Sequence, residues 1–306
     1  MKSTYVFTPG LLLLAMSLLH STMGQELYRF ELEVRNVYVD VFVTRDGKPV
    51  TALERESFIV LDNGVAQQHE LVDIEAVPMS TLLVLDVSGS VRGPKLTHLR
   101  GAAQAFIKGL KSEDEAGLLM FTHRLDLRKR LDNDFEVLQR VLNQPVEGGF
   151  TALNDALFAG LKLLESGTGR PLLLIFTDGI DNASWIRKPD LLDAVRASDA
   201  VIYAVGDVSS GGVYQGRRLV SDSSHVGRRF LERLAESTGG QAWFTGSTTE
   251  LKDIYLRVLA EMDTRFLLTY QPQDVSQEGW HEIEVKVKGH KASEVRARSG
   301  YLVSTR

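Results

Sequence analysis

"LLVLDVSGSV", residues 82–91, is an unbroken apolar run that ends on an aspartate and two serines at alternate positions. A strand without polar alternation is what a parallel sheet covered on both faces requires. Packing alone does not call for three oxygen-bearing side chains at the end of such a strand. Asp86, Ser88 and Ser90 therefore read as a set with a chemical task. In open parallel sheets, ligands bind beyond the carboxyl ends of the strands, where the strand order reverses.

The segments downstream fit that frame. "PKLTHLRGAAQAFIKGL" (94–110) places Leu96, Leu99, Ala103, Phe106 and Leu110 on one helical stripe, with Pro94 suited to the first turn. "AGLLMFT" predicts a strand, "LDLRKRL" an antiparallel strand and "DFEVLQRVL" a helix. "ALNDALFAGLKLLES" predicts a helix, "RPLLLIFTD" a buried strand, "KPDLLDAVRAS" a helix and "AVIYAVG" a strand. "RFLERLAESTGG" is a helix stopped by glycines, followed by the strand "QAWFT" and the helix "TTELKDIYLRVLAEM". Strands and helices that alternate over short connections predict an α/β fold, a doubly wound and mostly parallel sheet, over residues 78–263. Residues 207–227, rich in Ser and Gly, are expected to form one long loop.

Both flanks have period-two patterning. Residues 29–45 alternate apolar and polar, "DGKPV" supplies a turn, and the next strands carry an Asp-Asn-Gly hairpin signal. "RFLLTYQP", "WHEIEVKVKG" and "SEVRARSGYLV" resume that alternation after the last helix. The first flank alone buries too little to be stable. The expectation is that 25–77 and 264–306 form one small all-β sandwich, with the α/β domain inserted in it or flanked by it.

The chain has 306 residues, a net charge of −5 and no cysteine. The length suffices for one large domain and a small one. The absence of Cys excludes disulfides, Cys-ligated zinc, iron–sulfur clusters and thiol nucleophiles. No long basic run favours a nucleic-acid partner. The N-terminus, "MKSTYVFTPGLLLLAMSLLHSTMG", has a basic start, an apolar stretch and small residues after it. This is the layout of a signal peptide over 1–24, with cleavage after Gly24. The stretch is short for a membrane span, so the mature chain is expected to be exported, periplasmic or extracellular, without a transmembrane segment.

Thr151, in "EGGFTALNDAL", opens a helix, and Asp178, in "LLLIFTDGIDN", ends a second buried strand. If the strands ending at Asp86 and Asp178 are neighbours across the switch point, then Asp86, Ser88, Ser90, Thr151 and Asp178 converge. All their donors are hard oxygens, which select Mg²⁺, Mn²⁺ or Ca²⁺ over zinc or copper. Two carboxylates with compact hydroxyls suit Mg²⁺ best.

"DVSGS", then "GGFTAL", then "FTDG" resembles a von Willebrand factor type A domain with its metal-ion-dependent adhesion site, each motif standing at its proper strand or helix end. A looser resemblance, in "VYVDVFVTRDGKPVTAL" and "RARSGYLV", is to exported bacterial proteins carrying such a domain. The resemblance implies binding rather than turnover. Ser88, Ser90 and Thr151 would ligate the ion directly or nearly so, with Asp86 and Asp178 acting largely through water. One open position would take an exposed Asp or Glu of a protein ligand.

Enzymatic readings find little support in the residues. A phosphate-ester hydrolase on such a sheet commonly carries a second Asp two residues after the first, where this chain has Ser88. No nucleophile elbow of the G-x-S-x-G kind is present, and the seven histidines form no i, i+4 pair. The expectation is no enzyme. The alternatives are such a hydrolase, or a scaffold whose ion only ties loops together. Arg92, Phe150, Trp185 and Ile186 lie on loops of the same pole and are expected to form its partner-binding rim, since Trp and Arg anchor interfaces disproportionately.

Overall fold

The computed structural model describes residues 36–207, 213–215, 218–221, 223–276, 278–289 and 293–303. The expected signal peptide and residues 25–35 lie outside the described residues.

β1 (Val37–Arg45) turns through Asp46 and Gly47 into the short β2 (Lys48–Pro49). β3 (Phe58–Asp62) and β4 (Val65–Gln67) follow, then β5 (His69–Val72). Asn63 and Gly64, at φ 48° and 80°, form the two-residue turn between β3 and β4. Both positions need the left-handed region that these two residues tolerate, so the Asp-Asn-Gly signal gives the hairpin it predicts.

The α/β part runs β6 (Met79–Asp86), α1 (Pro94–Gly109), β7 (Glu115–Phe121), β8 (Leu125–Asp132), α2 (Phe135–Leu142) and α3 (Leu153–Leu164). It continues with β9 (Arg170–Thr177), α4 (Lys188–Ala197) and β10 (Val201–Asp207). Then come β11 (Val213–Gln215), β12 (Arg218–Ser221), α5 (Ser223–Ser237), β13 (Ala242–Thr245) and α6 (Leu251–Asp263). The chain returns to strands with β14 (Phe266–Tyr270), β15 (Gly279–Val287), β16 (Ser293–Arg296) and β17 (Gly300–Val303).

The central sheet has the order β13-β10-β9-β6-β7-β8, parallel except for β8. The order reverses between β6 and β9, so these adjacent strands form the switch point. Alternate residues of each strand serve opposite faces. Leu83, Leu85, Leu174 and Phe176 pack under α1 and α6, while Leu82, Val84, Leu173 and Ile175 pack under α3 and α4. This two-sided burial is why both strands read as continuous apolar runs.

Residues 207–227 do not form one loop. β11 and β12 pair as an antiparallel hairpin within them, and α5 already starts at Ser223. Ser and Gly richness hid both, because neither residue type carries a periodic signal.

Strands from both flanks pair with each other. β14 lies between β1 and β5, β16 pairs with β1, and β15 lies between β3 and β17. Their apolar faces share one core that includes Val39, Val41, Phe58, Val60, Leu268 and Ile283. The α/β part meets this β part through a buried ionic network. Arg265, fully buried, donates from Nε to Asp40 Oδ1 at 2.7 Å and from Nη1 to the Tyr203 hydroxyl at 2.9 Å. Glu261 accepts hydrogen bonds from Tyr203 and Arg296.

Candidate functional site

Asp86 ends β6 and is fully buried. Its Oδ1 accepts the Ser88 backbone N–H at 2.9 Å, and its Oδ2 accepts the Thr177 hydroxyl at 2.9 Å. Thr177 is the last residue of β9, so the carboxylate bridges the two strands of the switch point. Burial pushes the Asp86 carboxyl up to about 6. Hydrogen bonds from Ser88 and Thr177 oppose the rise, and the like charge of Asp178 adds to it.

The serines stand above this carboxylate. Ser88 Oγ lies 3.3 Å from Ser90 Oγ, and Ser90 Oγ donates to Asp178 Oδ2 at 3.1 Å. Asp178 is held in turn by the Ile180 N–H at 3.1 Å. Two hydroxyls and two carboxylates thus come together from the ends of two adjacent strands.

Thr151 reaches the same pole by another route. The Gly89 N–H donates to the Gly149 carbonyl at 3.0 Å, which sets the 148–151 loop against the serine loop. The Thr151 N–H donates to Asn182 Oδ1 at 2.8 Å, and the N–H groups of Asn182 and Ala183 donate back to the Thr151 carbonyl. Thr151 is buried, and the N-cap of α3 is the next residue, Ala152, which has no polar side chain to cap with. The first N–H groups of α3 are satisfied across space instead: Leu153 donates to Asp181 and Asp155 donates to Ser184.

Asp155, in the first turn of α3, holds the other side of this joint. Its carboxylate accepts the backbone N–H of Trp185 at 3.0 Å and of Ile186 at 2.7 Å. The 181–186 loop is therefore laced to α3 by side chains at both ends. Thr177, Asp181, Asn182 and Asp155 are the supporting residues that motif reading missed. Only Asp181 and Asn182 had a signal, the run of polar residues after β9, and a run like that is common to many turns.

Of the expected rim, Arg92 and Phe150 are exposed and Trp185 is 92% exposed. Ile186 is half-buried and packs against the core beneath α3 and α4.

The donors fit a hard divalent cation: oxygen only, with two hydroxyls and the Asp178 carboxylate in one hydrogen-bonded chain beside buried Asp86. The described residues hold no cluster of three or more His, Cys, Asp or Glu side chains of the kind that cages a metal unaided. Any ion at this pole would rely on hydroxyls and water for much of its coordination. Among the described residues, no helix is long and apolar enough to cross a membrane.

Comparison with known proteins bears on the fold. Inter-alpha-trypsin inhibitor heavy chain H4 of Sus scrofa is 24% identical over 218 residues, covering 65% of this chain and 22% of that protein. Heavy chain H3 of Bos taurus is 24% identical over 136 residues, covering 40% of this chain and 15% of that one. The chain thus spans less than a quarter of the length of these relatives. The solved structure of a von Willebrand factor type A protein from Catenulispora acidiphila superposes with a TM-score of 0.50 at 10% identity, covering 86% of this chain and 73% of that one. Residues 81–180 match the von Willebrand factor type A domain family, and the sheet that carries Asp86 and Asp178 has the type A fold.

Proposed function

We propose that this chain is an exported protein-interaction module that holds an acidic residue of a protein ligand at the Asp86–Asp178 pole through a divalent cation. The observation that carries the reading is the continuous hydroxyl–carboxylate chain from Ser88 through Ser90 to Asp178, beside buried Asp86. Asp86, Ser88, Ser90, Thr151 and Asp178 form the binding set. A bound ion, Mg²⁺ in first place, with Mn²⁺ or Ca²⁺ as substitutes, supplies positive charge for an external carboxylate. Thr177 and Asn182 position the set, and Arg92, Phe150 and Trp185 form its rim.

No catalytic role is assigned to any residue. Where a second acid would stand, the chain has Ser88, whose unperturbed hydroxyl cannot serve as a general acid near neutral pH. The sequence match to inter-alpha-trypsin inhibitor heavy chains supports an interaction module, and the N-terminal sequence supports export.

Calorimetric titration of the full chain with Mg²⁺ and Mn²⁺ tests the site, beside the Ser88→Ala, Ser90→Ala double variant. Saturable binding that the variant loses supports the reading. Equal binding by a folded variant overturns the ligand set, and no binding by the folded wild type overturns the metal.

A further inference from the structure

We infer that a cleft between α4, the end of α5 and the strands β1 and β15 binds a planar apolar group that carries a carboxylate. Val201, the first residue of β10, lines this cleft. It therefore lies at the opposite end of the parallel sheet from Asp86 and Asp178, and the inference does not depend on the metal reading.

The cleft has a volume of about 220 Å³. Its floor is apolar, with Val195, Ala200 and Val201 all buried. Its walls are aromatic: Tyr38 on β1 is 45% exposed and Trp280 on β15 is 41% exposed. The indole is fixed from two sides. The Arg196 guanidinium on α4 lies over its ring, 5.5 Å from the centroid. At Gly300 a Cβ would come 2.3 Å from the Trp280 ring carbon Cζ2, so only glycine lets the ring lie there. A wall fixed in advance loses little entropy when a ligand packs on it. Concave sites of this kind, apolar with a few convergent polar groups, are where small ligands bind, and they favour the junction between two parts of a chain.

Charge selects the polar end of the ligand. Two carboxylates line the cleft, and both are already neutralised. Asp40 lies 2.7 Å from Arg265 and 3.5 Å from Arg170, and Asp199 pairs with Arg298. Arg298 is fully engaged, since it also donates to the carbonyls of Ser198 and Gly300. Arg233 on α5 differs. Its Nε donates to the Arg229 carbonyl at 3.3 Å, and no carboxylate of the described residues pairs with it. Its two terminal nitrogens are left for a ligand, and a guanidinium presents such a pair in the geometry of a carboxylate. Arg196 adds a second positive charge, offset in part by exposed Asp193 at 3.2 Å. A neutral ring would leave the Arg233 charge unmatched. A bare anion would leave the apolar floor and the aromatic walls uncovered.

Titration of the isotope-labelled full chain with hydrocinnamate tests this through the indole N–H resonance of Trp280, assigned by its loss in Trp280→Phe. A saturable shift is expected. The amide of the same acid, and acetate, should each bind at least about tenfold more weakly, the one lacking the charge and the other the ring. Arg233→Gln should weaken hydrocinnamate about tenfold, and Arg233→Lys should recover part of the loss. Arg233 is exposed, so both variants should fold as the wild type does. Gly-Gly-Phe with a free carboxyl end separates the sources. Tighter binding than hydrocinnamate supports the site with the end of a peptide chain as its ligand, and weaker binding supports it with a free acid. No shift with either carboxylate overturns the inference. So does an amide as effective as the acid, or equal binding by wild type and Arg233→Gln.

Discussion

Ser90 and Asp178, 88 positions apart in sequence, share a hydrogen bond of 3.1 Å across the β6–β9 switch point. The bond adds a second side-chain tie to the one between Thr177 and Asp86 just beneath it. Ser90 is exposed, so Ser90→Ala should change stability by less than about 0.5 kcal/mol. Its Mg²⁺ affinity should fall at least about tenfold, because a hydroxyl donor and the orientation of Asp178 are lost together. Parallel calorimetric and thermal titrations separate the two effects.

Asp155→Ala should loosen the 181–186 loop and leave the rest of the fold intact. Two backbone N–H groups, of Trp185 and Ile186, lose their acceptor. The expected cost is about 1–2 kcal/mol. Hydrogen exchange should accelerate at these two amides, whereas the amides of β6 and β9 should keep their protection. Unchanged exchange at Trp185 would contradict the lacing described here.

Arg265→Met keeps side-chain bulk and removes the charge at the junction of the two parts. It leaves Asp40 and Glu261, both largely buried, short of a cation. Breaking such a pair from one side costs about 3 kcal/mol, softened by the neighbouring Arg170 and Arg296. Urea denaturation gives the value, and a loss below about 1 kcal/mol would mean that those two arginines suffice.

Alkaline pH should destabilise the protein through its tyrosines. Burial raises Tyr203, Tyr255, Tyr270 and Tyr301 above the usual phenol range. At Tyr270 and Tyr301 the buried Asp62 carboxylate raises it further. These groups stay protonated in the fold while an unfolded chain ionises near pH ~10. Their contribution is complete below that value and is lost as pH rises above it. Spectrophotometric titration should show these four tyrosines ionising only with unfolding.

The central sheet was legible because burial on both faces writes itself as unbroken apolar runs, as in Leu82–Leu85 and Leu172–Phe176. That Asp86 and Asp178 stand at the ends of adjacent strands was legible from the apolar runs that lead to them. The hairpin at Asn63–Gly64 was legible because only a few residues accept its backbone geometry. The joints were not. Asp155 holding Trp185, Thr177 holding Asp86 and Arg265 holding Asp40 are contacts between distant segments, and no local period encodes them. Ile186 shows the same limit. Loop position placed it on the rim, and packing beneath α3 and α4 turned it inward.

β5 leads into the α/β part and β14 leads out of it, and the two are hydrogen-bonded neighbours, with Leu71 opposite Leu268. The α/β part is therefore tied to the β part at two adjacent, mutually hydrogen-bonded strands, and swinging it about either one alone would break the bonds between them.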